Sequence, residues 1–132
     1  MRVFVTKQFN RFARSERVSD EKLCEAIERA QDGLIDADLG GGLIKQRVAR
    51  PGQGRSGGFR TVIAYRRLGR AVFLYGFAKN ERDNIDADDL ARLKKLAAIY
   101  LGAAMTELET WCEEGELKEV ACDGEEVSKP DR

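Results

Sequence analysis

Five cations, Lys45, Arg47, Arg60, Lys79 and Arg82, punctuate three apolar, β-branched stretches of this chain and are the residues best suited to chemistry. Arginine stays charged and presents a planar fork of donors, whereas lysine presents a compact ammonium that can exchange a proton. Cations of both kinds facing one point bind phosphate, and they also stabilise the extra charge of a phosphodiester under attack. The five belong to a longer basic segment: Ile44 to Arg82 holds ten Lys and Arg against one acid, Glu81, a local charge of +9. Asp83 to Arg132 compensates, with fourteen Asp and Glu against six Lys and Arg, so a net charge of zero conceals a polarised molecule. A basic sheet face most naturally meets a polyanion, RNA or DNA being the commonest. Three readings of it stand side by side: a solvated charged face, a phosphate-binding surface without chemistry, and a surface that stabilises the transition state when an RNA 2′-hydroxyl attacks its own phosphate.

Composition narrows the chemistry further. Histidine is absent, which removes the usual general base near neutral pH and the commonest transition-metal ligand. Neither a metal nor a cofactor is expected. Cys24, Cys112 and Cys122 are odd in number, far apart and without CxxC spacing, and read as reduced thiols of a cytoplasmic protein. The segment GQGRSGG lacks the GK[ST] ending of a P-loop and lies between strands, which argues against nucleotide hydrolysis. Glu81 reads as a salt-bridge partner more than a general base, and Asp86, Asp88 and Asp89 read as helix-capping acids more than a metal site. Of Phe59, Tyr65, Phe73, Tyr75 and Phe77, one or two are expected to touch a ligand and the rest to be core. No apolar run approaches the roughly 20 residues of a membrane helix, and MRVFVTKQF alternates in polarity, unlike a secretory signal.

The elements that must position the cations follow from periodicity. Residues 2–7 read as a first strand and Asn10 to Ser15 as a helical turn. Ser19 caps a helix over about 20–32, with Gly33 ending it. Gly40, Gly41 and Gly42 turn into a strand at 43–49, Pro51 to Gly58 forms a loop, and 59–67 and 70–78 form a hairpin about Leu68-Gly69. Leu90, Leu93, Ala97, Tyr100, Ala104 and Trp111 recur at helical steps, giving one helix from Asp86 to about Glu114, before a short edge strand at 117–120. The order implies an α+β layer, a small antiparallel sheet with helices on one face and the other left for a ligand. One domain spans residues 1–120, and 121–132 reads as an acidic flexible tail. A second reading of the acidic end has Glu113 to Glu126 fold back over the basic face.

The stretch KQRVARPGQGRSGGFRTVIAYRR, followed by AVFLYGFAKNERDNI, resembles the RelE/ParE superfamily of type II toxin–antitoxin toxins, and in particular its HigB-like branch related to RelE. The resemblance implies a microbial-ribonuclease-like RelE toxin fold, metal-independent cleavage of mRNA in the ribosomal A site, and a helix-turn-helix antitoxin bound in a hetero-oligomer. It implies that Lys45 and Arg47 contact or activate RNA, that Arg60 stabilises phosphate, and that Lys79 and Arg82 are the basic residues closing the last core strand. Asn80 stands where that family has an arginine, and Asp86 where it has a catalytic tyrosine. Together these assign Lys45, Arg60, Lys79 and Arg82 to catalysis, with Lys45 as the proton-transfer group and Arg60 and Arg82 on the scissile phosphate. Arg47, Arg50, Arg55, Arg66, Arg67 and Asn80 are assigned to RNA binding. The rival readings are a ParE-like, non-enzymatic inhibitor of DNA gyrase and a non-catalytic RNA-binding module.

Overall fold

A computed structural model describes residues 1–49, 58–78 and 85–122. Along the chain it places β1 (Arg2–Thr6), α1 (Lys7–Ser15), α2 (Asp20–Gln31), β2 (Ala37–Gly40), β3 (Leu43–Val48), β4 (Phe59–Arg66), β5 (Arg70–Ala78), α3 (Ala87–Gly102), α4 (Met105–Glu113) and β6 (Leu117–Val120). The strands form one sheet in the order β2-β3-β4-β5-β1-β6, antiparallel throughout except for the parallel pair β1–β5. The expected α+β class and the β4–β5 hairpin are both present.

Local chemistry explains most boundaries. Ser19 caps α2 by accepting the Lys22 N–H at 3.2 Å, and Gly33 ends it in the left-handed region at φ +84°, as expected. Thr6, the last residue of β1, accepts the Phe9 N–H at 3.0 Å, so α1 begins directly at Lys7 and is a full helix rather than the expected turn at 10–15. The single helix expected over 86–114 is two helices. Ala103 and Ala104 are extended at the break, and the Glu107 carboxylate accepts the Ala104 N–H at 2.9 Å to start α4.

Helices cover both sheet faces, which corrects the expectation of one open face. Along β1, β4 and β5 consecutive residues are buried, Val3 to Val5, Val62 to Ala64 and Ala71 to Leu74, a pattern of strands packed on both sides. One layer joins α1 and α2 to the sheet through Phe9, Leu23, Ile27, Phe59, Ile63 and Phe73. The other joins α3 and α4 through Phe4, Leu43, Val62, Val72, Leu93 and Leu108.

The cysteines also differ from the reading as three reduced thiols. Cys24 of α2 and Cys122, just beyond β6, form a disulfide across 98 residues with their Cα atoms 5.6 Å apart. Cys112 is the free one; burial, and next the Glu119 carboxylate, push its thiol pKa up, which keeps it protonated and a poor nucleophile. Of the stretch expected as a flexible tail, Cys122 is thus tied to α2, and residues 123–132 lie outside the described residues.

A buried cation fixes the α3–α4 break. Arg70 is 6% exposed, and its Nη1 donates to the Tyr100 and Ala103 carbonyls at 2.9 and 2.6 Å, while Arg66 Nη1 takes the Leu101 carbonyl at 2.9 Å. These are the carbonyls that a helix C-terminus leaves unsatisfied, at the negative end of its dipole. Burial lowers the Arg70 pKa, with the nearby Arg66 and Arg2 adding to it. Arg70→Met keeps the aliphatic stem and removes the donors, so a loss of about 2 kcal/mol is expected in urea unfolding. An unchanged midpoint would mean that water satisfies those carbonyls equally well.

Candidate nucleic-acid interface

Strand alternation and register bring three of the five cations together. On β3, Ile44 and Val48 join the α1/α2 core, whereas Leu43 joins the α3/α4 core, so Lys45 and Arg47 stand on the α3/α4 side. Arg47 pairs with Arg60 on β4, which pairs with Phe77 on β5. Two residues along, in the next row on the same face, Lys45 pairs with Val62 and Val62 with Tyr75. Two successive rows of that face therefore present Arg47, Arg60 and Phe77, then Lys45, Val62 and Tyr75, across three strands.

The exposures suit a surface that meets a flat anionic ligand. Arg47 is exposed, Lys45, Arg60 and Tyr75 are half-buried, and Phe77 lies beneath at 2%. The Tyr75 and Phe77 rings are 5.8 Å apart, a supported aromatic step beside the cations. Two features are unfavourable without a ligand. Like charges directly opposite on paired strands repel, yet among the described residues none of Lys45, Arg47 and Arg60 has a salt bridge. Arg60 Nη1 is in addition buried without a hydrogen-bond acceptor. A guanidinium donor left unpaired beside a second arginine is chemistry that suits an anionic oxygen.

The other assigned residues fall in two groups. Arg66 ends β4 and Arg67 follows it, six and seven residues from Arg60, with Arg66 about 20 Å away along the strand. There Arg66 serves the α3 terminus and Arg67 Nη2 reaches the Gln31 carbonyl at 3.4 Å. Arg50, Arg55, Lys79, Asn80 and Arg82 lie outside the described residues. Val48, Phe59 and Ala78 form the row next to Arg47–Arg60–Phe77, so the described chain ends at Ala49 and Ala78 close beside the patch.

The bland readings account for several other groups. Asp86 caps α3, its Oδ1 accepting the Asp89 N–H at 2.8 Å, and no acidic or cysteine cluster fit for a metal occurs among the described residues. Phe59 and Phe73 are core. Tyr65 lies on the α1/α2 side with its hydroxyl buried, and burial raises its pKa. Residues 117–120 form the edge strand farthest from β3, which places that part of the acidic end away from the basic patch. A cleft of about 270 Å³ between Lys7, Arg11, Leu74, Leu96, Tyr100 and Glu116 includes none of the patch residues. Sequence reasoning passed over Gln46 and Asp36, which hold β3 from behind. The one signal was that β3 alternation sends the amide of Gln46 inward, between Ile44 and Val48.

Residues 1–120 match the family described as RelE toxin of the RelE/RelB toxin–antitoxin system. No curated protein matches the chain. No helix among the described residues is long and apolar enough to cross a membrane. With a match over residues 1–120 of 132, on a six-stranded α+β sheet, the chain belongs to the RelE toxin family, the toxin half of a toxin–antitoxin pair whose partner is an antitoxin.

Proposed function

We propose that this toxin is a ribosome-dependent mRNA endoribonuclease of the HigB-like branch, working without a metal in the cytoplasm and neutralised in a hetero-oligomer by a helix-turn-helix antitoxin. The observation that carries the reading is the Arg47–Arg60 pair with its orphan Nη1, set beside the Tyr75–Phe77 step. In this reading the RNA 2′-hydroxyl attacks the adjacent phosphorus, the bond to the 5′-oxygen breaks, and a cyclic phosphate and a 5′-hydroxyl result. Arg60, with Arg82, neutralises the charge that builds on the non-bridging oxygens. Lys45 moves a proton between the attacking and leaving oxygens, and Arg47 and Lys79 hold the strand while a base rests on Tyr75. With no strong base among these groups, cleavage depends on the ribosome to fix the codon in attack geometry.

Mapping mRNA 5′ ends after induced expression tests this directly. Wild type is expected to give codon-phased cuts within translated regions, and Arg60→Ala to lower cleavage on the order of 10²- to 10³-fold while remaining folded. Growth arrest with intact mRNA would overturn the reading in favour of a gyrase inhibitor. Equal cleavage of naked and ribosome-bound mRNA would remove the ribosome from the mechanism.

A further inference from the structure

β2 pairs with β3 only as far as Ala37 and Lys45, so one residue pair beyond that the ladder on this side stops. Arg47 lies past the stop, yet its main chain is fully engaged. Its N–H donates to Asp36 Oδ2 at 2.6 Å, and its carbonyl accepts from the Arg29 guanidinium. Both main-chain groups of Arg47 therefore point towards the β2 side. In an antiparallel sheet that makes Arg47 and Arg60 a pair without mutual main-chain bonds, the type in which facing side chains stand closest. Asp36 is itself held, since its N–H donates to Gln46 Oε1 at 2.8 Å. Gln46 is wholly buried, and its Nε2 donates to the Ala26 and Leu34 carbonyls at 2.9 and 3.2 Å.

We infer that Asp36 is a positioning residue: with Arg29 it substitutes for the missing strand partner at Arg47 and so sets the spacing of the Arg47–Arg60 pair for RNA phosphate. The inference rests on the proposed nuclease reading for the ligand, and on hydrogen bonds alone for the clamp. Asp36 makes a carboxylate beside a cationic patch, so simple electrostatics has it weaken RNA binding, and the clamp has it strengthen binding. The two accounts differ in sign.

The test is the affinity of a ten-nucleotide, 2′-O-methylated single-stranded RNA, which binds but lacks the attacking hydroxyl. Asp36 is exposed, so its replacement leaves the core intact. Asp36→Ala is expected to weaken binding about tenfold, a difference of about 1.4 kcal/mol. Asp36→Asn, which keeps an acceptor and removes the charge, should bind as tightly as wild type or tighter. In an Arg47→Ala background Asp36→Ala should have no further effect, because it acts through Arg47. Unchanged or tighter binding by Asp36→Ala, or an equal loss in both backgrounds, overturns the inference. Amide hydrogen exchange separates it from the nuclease reading. The Arg47 N–H should exchange at least about tenfold faster in Asp36→Ala, and an unchanged rate refutes the clamp whether or not RNA binds. Wild type that fails to bind the free RNA refutes the role of the clamp in RNA binding, whereas the ribosome-dependent nuclease reading stands or falls on the mapped mRNA 5′ ends.

Discussion

Reducing the Cys24–Cys122 disulfide is expected to lower the midpoint of thermal unfolding by about 15 °C. A cross-link across 98 residues removes much of the freedom of the unfolded chain, and a loop of that size corresponds to about 5 kcal/mol in the chain-entropy account. For a domain of this length each kcal/mol moves the midpoint by about 3 °C. Calorimetry of wild type with and without a dithiol reductant measures the difference. Cys122→Ser should melt at the reduced wild-type temperature under both conditions. Its insensitivity to the reductant assigns the whole shift to this bond, because Cys112 is unpaired. Equal midpoints for oxidised and reduced wild type would mean that packing of β6 on β1 already confines the chain as tightly as the bond does.

Gly58→Ala is expected to be the most damaging single-carbon change near the patch. A Cβ at Gly58 would lie 2.0 Å from the Val48 carbonyl oxygen and 2.9 Å from its carbon, and both are main-chain atoms that cannot swing aside. The strands must separate where β3 leaves and β4 enters, two residues before Arg60. A loss of about 3 kcal/mol or more in urea unfolding is expected, together with loss of RNA cleavage comparable to that of Arg60→Ala. Gly76→Ala is the informative contrast. Its Cβ would meet the Phe12 ring at 2.4 Å, a side chain able to rotate, so the change should be milder. If the two variants were equally stable, close main-chain approach would not be the reason for glycine in the SGGF stretch.

That SGGF glycine shows how far the sequence could be read. Glycine beside the arginine was visible as part of a motif, but the physical need for it lies in Val48, on another strand. Convergence of Lys45, Arg47 and Arg60 was legible because neighbouring strands joined by one loop fix their own register, and alternation does the rest. The strand β2 was not legible: ADLG is four residues, mostly half-exposed, with no apolar alternation. The break between α3 and α4 was hidden because helical spacing of apolar residues runs straight through it, and Arg70, which gathers the carbonyls there, lies 30 residues and more earlier in the chain. The disulfide was unreadable for the same reason at larger scale, since only the folded sheet brings the end of β6 to α2.

The sheet order also bears on how the molecule assembles in time. β3, β4 and β5 are antiparallel neighbours in sequence and in space, so they can zip together through short loop closures. β1 must wait, because its two neighbours are β5 and β6, and Val3 meets Val120. Pairings that distant in sequence slow folding. The meander bearing Lys45, Arg47 and Arg60 is therefore positioned to form early, while the slot for the first strand closes last, on the arrival of residues 117–120.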